Sequence, residues 1–454
     1  MRDKVLFYIL SVMIVIWINI ILLNKYLFLL TLGIGITVGT YLFTKSRIYL
    51  FLPLVFVFYN NYLGTEKFLN IPIKYLLLLL SIYLFIIIIL INKNNFQLSI
   101  KSFNINLLIL FIYLFLHSLL ITRLPYSSII YISFNFVLVL FIFLLIKEKK
   151  DLSSFLIILV LSAIGQAGIG IWEFAQGKTL YYEQWAGTRY REGIMRIGST
   201  AADPNFLCFS LIPIIPIIFY LKRKNNKFMN LFYNLSLILI SCVVFITYSR
   251  IGWISIILTY ILILSRMFKI NKLLKFIFTI FIISMLAFEY LPKLNLSLND
   301  SSFKVRLYTQ LLALKLFLYN PLFGIGISKF NLFSGDFLWK YYGINMELPP
   351  TTMNTYLQVL VETGLIGMLL FISVIISCLK KLVRNRKVKE EDEISTLKFY
   401  LLVSYIIWLL IAITLDGLFT PMFWILSILP FIVQKVSSFS RPLQSNNSNI
   451  KNKV

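Results

Sequence analysis

The sequence predicts an all-α polytopic membrane protein of about fourteen transmembrane helices, with its two substantial hydrophilic loops on the extracytoplasmic side. Three observations predict it. Of 454 residues, 59% are hydrophobic and the mean hydropathy is +0.87, whereas soluble domains hold about 45–50% apolar residues. The apolar runs recur at roughly 17–22 residues, the length that crosses a hydrocarbon core about 30 Å thick. The basic residues sit in short clusters between alternate runs, where the positive-inside rule places them.

The first run, from Val5 to Leu23, is longer than the apolar core of a signal peptide and lacks a small-residue cleavage site, so it reads as a retained helix. Helices are expected next near 26–43, 48–63, 73–91, 105–122, 128–146 and 152–175, which completes an N-terminal bundle over 1–175. A first long loop covers 176–203. Helices near 204–221, 229–248, 251–266 and 273–291 fill 204–291. A second long loop covers 292–355, and helices near 356–379, 397–415 and 418–435 fill 356–436. A polar tail, 437–454, has too little apolar content to order itself.

Charge sets the orientation. Clusters such as Lys147/Lys149/Lys150, Lys222/Arg223/Lys224/Lys227 and Arg266/Lys269/Lys272/Lys275 alternate with poorly charged turns. The charged side is the cytoplasm, and both termini fall there, in the cell membrane. The net charge of +25 is therefore spread over many loops, which excludes a nucleic-acid-binding domain. Cys208, Cys242 and Cys378 all lie in apolar runs, with neither CxxC nor His/Cys metal spacing.

Loops as long as 176–203 and 292–355 are uncommon in compact bundles unless they serve a function or are disordered, and these carry Trp185, Trp339 and several Tyr. Within 303–320, Phe303, Leu307, Leu311, Leu314 and Leu318 recur at helical spacing, and Asn320-Pro321 stops the run. This predicts an amphipathic helix, either lying in the outer membrane interface or packed on the bundle. Arg306 is at headgroup depth in both cases.

External cations concentrate at Arg189, Arg191, Arg196, Arg250 and Arg306. Arginine suits lipid phosphate or diphosphate because its planar fork grips anionic oxygens bidentately and never deprotonates. Snorkelling, or pairing with Glu183, Glu192 or Asp203, is the bland alternative. Asp203-Pro204 suits a helix N-cap and first position and turns helix N-terminal amides towards the outer face. His117, the only histidine, lies inside an apolar run and reads as neutral helix packing. Asp416-Gly417 reads as a turn pair, and Glu173 and Glu362 lie near outer helix ends.

Four segments together resemble one family: Met195-Arg196-Ile197-Gly198-Ser199 with Asp203-Pro204-Asn205-Phe206-Leu207; Tyr248-Ser249-Arg250-Ile251-Gly252-Trp253; Arg306 with Asn320-Pro321-Leu322-Phe323-Gly324-Ile325-Gly326; and Asn354-Thr355-Tyr356-Leu357-Gln358 with Glu362-Thr363-Gly364-Leu365-Ile366-Gly367. In order and threading they are similar to the O-antigen ligase and polymerase superfamily of bacterial envelope enzymes. The resemblance covers residues 190–370 and implies a GT-C-like bundle and a glycosyltransferase of the outer leaflet. Its implied substrate is an undecaprenyl-diphosphate-linked glycan, with neither metal nor nucleotide sugar. The bilayer and, as partners, flippase and chain-length regulator proteins go with it. Polymerases of the family join repeat units into a surface polysaccharide; ligases move the finished glycan to its acceptor.

The family's outer-face arginines bind the carrier diphosphate, and that role falls to Arg250 and Arg306, with Arg196 and Arg191 as further candidates. Ligases commonly carry a His before the Asn-x-Tyr-Leu segment, and this chain has Met353 there. A carboxylate then becomes the expected base: Asp203, Glu192 or Glu347. The missing His favours a polymerase over a ligase. A flippase or transporter of lipid-linked sugars is the further alternative, disfavoured by the one-sided ionisable residues and the lack of a two-fold repeat.

Overall fold

The computed structural model describes residues 67–68, 71–72, 102–121, 126–178, 190–191, 194–201, 203–223, 227–267, 301–334, 348–349, 351–383 and 393–439. Most are helical. α1 is Ile105–Leu120, α2 Tyr126–Leu145 and α3 Lys149–Gln176. α4 (Pro204–Leu211) and α5 (Ile215–Lys222) are joined by a 3-10 turn at Ile212–Ile214. α6 (Lys227–Ile246), α7 (Arg250–Met267), α8 (Ser301–Tyr319) and the one-turn α9 (Asn331–Ser334) follow. α10 (Thr355–Val383), α11 (Glu393–Ile411) and α12 (Pro421–Phe439) close the bundle. Two antiparallel two-residue ribbons pair β1 (Lys67–Phe68) with β2 (Ile71–Pro72) and β3 (Tyr190–Arg191) with β4 (Ile194–Met195).

Five of these helical stretches are long and apolar enough to cross a membrane: Lys149–Gln176, Pro204–Lys222, Lys227–Ile246, Thr355–Val383 and Glu393–Ile411. α1 and parts of α2 and α12 are shorter apolar helices. The chain is thus a polytopic helical membrane protein. The helices expected near 5–23, 26–43, 48–63, 73–91 and 273–291, and the tail beyond 439, lie outside the described residues.

Local sequence explains the breaks. Asp203 caps α4 and Pro204 opens it. Pro213 and Pro216 each lack an N–H and would clash with the preceding turn, so the single helix expected over 204–221 contains the 3-10 turn. The expected helix over 356–379 also departs from regularity. Gly364, at φ 70 and ψ −170, interrupts α10 in a backbone region that only glycine enters readily. The 19 residues after the break would rise roughly 28 Å, enough to span a bilayer alone.

That break is filled by the loop after α8. Ile325 N–H donates to the Val361 carbonyl (2.9 Å) and Gly326 N–H to the Glu362 carbonyl (3.1 Å). In return Leu365 N–H donates to the Pro321 carbonyl (2.8 Å). The Thr363 carbonyl takes the Tyr113 hydroxyl (2.6 Å), and the Phe323 carbonyl takes His117 Nε2 (2.6 Å). Backbone groups freed in a membrane protein must be satisfied internally, and here two segments satisfy each other. Gly324 (φ 74) makes the approach possible, since a Cβ there would sit 2.5 Å from the Val361 carbonyl. His117 therefore keeps its helix-packing role, but with a definite partner: its Nε2–H holds the Phe323 carbonyl.

α8 buries Thr309, Leu312, Ala313 and Leu316 against α10, Phe330 and Leu348. Leu307, Leu311, Leu314 and Leu318 face outward. The stripe read from the sequence is therefore turned away from the protein, while a second, narrower face packs on the bundle. At the core, Trp408 packs between Phe209 and Phe423, each ring tilted against it with its centroid 5.1 Å away. α4 and α7 meet where a Cβ on Gly252 would lie 2.5 Å from Cys208 Sγ, the small-residue contact that lets membrane helices approach closely.

The bundle has two chemically distinct ends. At one, Tyr220 donates to Glu393 (3.2 Å), Arg266 lies over the Phe399 ring (4.4 Å) and Lys435 donates to the Phe143 carbonyl (2.6 Å). The other end gathers the last turn of α3, the first turns of α4, α7 and α10, and the α11–α12 turn. This partition is the one the alternating charge clusters predict.

Candidate functional site

The second end is built from loop backbone pinned by buried carboxylates. Glu173, 1% exposed at the end of α3, accepts the backbone N–H groups of Gly198 (3.1 Å) and Ser199 (2.7 Å). Gln166 adds its carbonyl to the Ser199 hydroxyl (2.7 Å) and its side chain to Thr200 and Ser210. Arg196 follows directly after β4. Its Nε donates to the Thr247 carbonyl (2.9 Å) and one terminal nitrogen to Asn205 Oδ1 (3.2 Å). The Ser249 hydroxyl donates to the same Asn205 oxygen (2.8 Å). Asn205 thus ties Arg196 to the turn from which Arg250 opens α7.

Asp203 Oδ1 accepts the Asn205 and Phe206 backbone N–H groups (2.7 and 3.2 Å), the N-cap the sequence predicts. Burial raises its pKa, against the lowering pull of those N–H groups, Arg196 and Arg306. Arg306 is partly buried on α8. Burial lowers its pKa, and the charges of Asp203 and Asp416 act the other way. Arg196, Arg306, Asp203 and Asp416 therefore share one electrostatic environment, although they come from four separate segments.

Asp416 is more than a turn residue. Its Oδ1 accepts the Thr352 hydroxyl (2.6 Å) and Asn354 N–H (3.3 Å), and its Oδ2 accepts Met353 N–H (3.0 Å). Burial pushes its carboxyl up, opposed by these hydrogen bonds. Asn354 in turn caps α10, accepting from Tyr356 and Leu357 (2.9 and 3.1 Å). The α11–α12 turn so fixes the start of α10.

Backbone strain is concentrated here. Ser199, Tyr248, Ser328 and Met353 are the non-glycine residues with positive φ among those described. Each adjoins a candidate: Ser199 the Arg196 loop, Tyr248 the Arg250 turn, Ser328 the loop against α10, and Met353 the turn held by Asp416. Such conformations cost about 1–3 kcal/mol each and cluster at functional sites.

Of the residues expected at the site, Arg196, Arg250, Arg306 and Asp203 come to this end together. Arg191 lies in β3, at the base of the same loop, without a described side chain. Glu192 and Glu347 lie outside the described residues. Asn205 and Asp416 emerge as organising residues, and Glu173 turns inward onto backbone. Among the described residues no three His, Cys, Asp or Glu side chains converge as metal ligands.

A family model described as O-antigen ligase matches residues 235–372. That stretch holds Arg250, Arg306, the loop at 320–326, the first half of α10, its break at Gly364 and the start of its second half. Over those residues the chain is similar to the O-antigen ligase and polymerase superfamily. No curated protein matches the sequence. The superfamily's match covers under a third of the chain and omits Arg196, Asp203 and Asp416, which the fold itself brings to the matched segments. The interlocking of loop 321–326 with residues 361–366 gives a physical reason for two of the superfamily-like motifs to occur together: each satisfies the other's backbone.

Proposed function

We propose that this chain polymerises undecaprenyl-diphosphate-linked oligosaccharide repeat units into a surface polysaccharide on the outer face of the cytoplasmic membrane. The observation that carries the reading is the gathering of Arg196, Arg250 and Arg306 at one end of the bundle, inside or beside the segment that matches the superfamily. A lipid diphosphate leaves readily once its developing charge is stabilised, and preorganised cations do that. One guanidinium about 4 Å from a unit charge contributes roughly 4 kcal/mol at an effective dielectric near 20, before desolvation. The charges of Asp203 and Asp416 act on Arg306 and temper its charge when no substrate is bound. The reaction needs neither metal nor nucleotide sugar, because the donor arrives activated.

Met353 favours polymerase over ligase. It stands where ligases of the superfamily commonly carry His, in a strained turn that Asp416 holds by its backbone. The ligase reading is the second, favoured by the description of the matching family.

The test is the length profile of surface glycan on gels. It compares a deletion strain with strains restored by wild type, Arg250→Ala or Arg306→Ala. Single repeat units after deletion, with no ladder restored by either variant, support a polymerase with an arginine clamp. Long chains that stay on the carrier identify a ligase. A full ladder from either correctly inserted variant removes that arginine from the clamp.

A further inference from the structure

Gln358 and Glu362 lie one helical turn apart on α10, before its break. They are 6% and 3% exposed. The Glu362 carboxyl takes hydrogen bonds from the Ser328 backbone N–H and the Gln358 side chain. This leaves two acceptors, Glu362 Oε2 and Gln358 Oε1, buried and without a hydrogen-bond partner. Buried polar atoms are nearly always paired, and each exception calls for a reason. Two exceptions of the same polarity, on neighbouring turns of one helix, call for a ligand that brings hydrogen-bond donors.

The surroundings narrow the ligand. Glu362 is close enough to Asp416 for their charges to interact, and Asp416 in turn acts on Arg306. The acceptor pair thus lies beside the proposed diphosphate clamp, on the side where negative charge repels a diphosphate. A neutral molecule with adjacent hydroxyls fits both the free acceptors and the charge. The segment packed over the pair has Gly324, Gly326 and Ser328 at positive φ (74, 107 and 59). Glycine-rich backbone of this kind can shift without side-chain repacking.

We propose that Glu362 and Gln358 form the subsite for the acceptor glycan, with Glu362 Oε2 as the proton acceptor. The inference rests on the polymerase or ligase reading. Gln358 Oε1 takes one sugar hydroxyl and orients the ring. Glu362 Oε2 takes the attacking hydroxyl. As the hydroxyl oxygen bonds to the anomeric carbon, the bond from that carbon to the diphosphate oxygen breaks. The electron pair leaves with the diphosphate, and the hydroxyl proton passes to Glu362.

The test uses the full chain in lipid nanodiscs and the lipid-linked repeat units extracted from the deletion strain. Transfer rate against pH and binding of those units are measured for wild type, Glu362→Gln and Gln358→Leu. Glu362→Gln keeps the Ser328 contact through its amide oxygen. It should lose about 10²–10⁴-fold in turnover, bind the units within about twofold of wild type, and lose the acidic limb of the rate profile. Gln358→Leu should raise the KM for the acceptor about 5- to 100-fold with turnover largely kept. Glu362→Gln within about threefold of wild type, or with an unchanged acidic limb, overturns the subsite while leaving the polymerase reading intact. The same holds if turnover, unit binding and thermal stability fall together, since that is a packing role. A wild-type chain that binds the units but transfers nothing overturns both.

Discussion

Replacing Gly364 with alanine attacks the point where α10 is broken. The residue sits at φ 70 and ψ −170, and a Cβ there would overlap the Leu322 carbonyl and approach Phe323 N to 2.6 Å. Two costs follow. Holding a side-chain-bearing residue in this region costs about 1–3 kcal/mol. Relieving the overlap moves the loop and breaks the hydrogen bonds to Pro321 and Leu322 (2.8 and 3.4 Å), each worth about 0.5–1.5 kcal/mol net. The sum is about 2–6 kcal/mol, or a fall of roughly 4–12 °C in Tm at about 2 °C per kcal/mol. Thermal unfolding in detergent, followed by tryptophan fluorescence, measures it. Gly324→Ala presses on the same contact from the other side, so the double variant should lose less than the two single losses together. Gly168→Ala is the control, because a Cβ there meets nothing within 4 Å. Its effect should be neutral to slightly stabilising, by up to about 1 kcal/mol. A Gly364→Ala protein that melts within about 1 °C of wild type would refute the reasoning, because the interlocked loop would then hold nothing.

Glu173→Ala leaves the buried N–H groups of Gly198 and Ser199 without an acceptor. It should cost about 2–6 kcal/mol and reduce transfer by displacing Arg196, as read from melting temperature and glycan ladder together. His117→Ala loses the contact to the Phe323 carbonyl and should cost about 1–2 kcal/mol; the pH profile of transfer should not move, and a lost limb would make His117 a catalytic base instead. Asp203 supplies a pH test. Burial raises its pKa in the folded protein, so as pH rises the unfolded chain releases its proton first. Stability should fall from the ordinary aspartate range upward until the folded value is passed. Asp203→Asn keeps the helix cap and should flatten that decline above the ordinary aspartate range, near pH 4; equal slopes for wild type and variant count against it.

Helix positions were largely legible in the sequence because hydropathy and length are what a bilayer selects. The runs expected at 105–122, 229–248 and 251–266 appear as Ile105–Leu120, Lys227–Ile246 and Arg250–Met267. The breaks were less legible. A sliding window averages over Gly364 as over any small residue, and over Pro213 and Pro216 in an apolar run. The candidate site shows the same division. The arginines stood out in the sequence because the charge pattern predicts them on the outer side of a membrane, where cations are sparse. Asp416 read as a turn because its partners, the turn at 352–354, lie 62 to 64 residues away in sequence. Glu173 read only as lying near an outer helix end, yet its carboxylate is consumed by the backbone it anchors.

The break in α10 and the clustering of charge have a common cause. A continuous helix uses its own N–H and carbonyl groups and offers nothing to a neighbouring segment. Interrupting it at Gly364 lets loop 321–326 dock edge-on. That loop leaves α8, the helix that carries Arg306, so docking it fixes the end of α8 against α10. Asp416 fixes the start of α10, and through its charge it bears on Arg306 as well. Arg306 therefore sits on a helix whose far end is docked, and the charges of Asp203 and Asp416 act on it. Arg196 is held by Thr247 and Asn205. Cations held in this way lose little freedom when an anion arrives, so in the proposed reaction more of their attraction remains for stabilising the departing diphosphate. On this argument Gly364→Ala should lower transfer by more than its effect on folding accounts for, because it releases the loop that holds Arg306 in place.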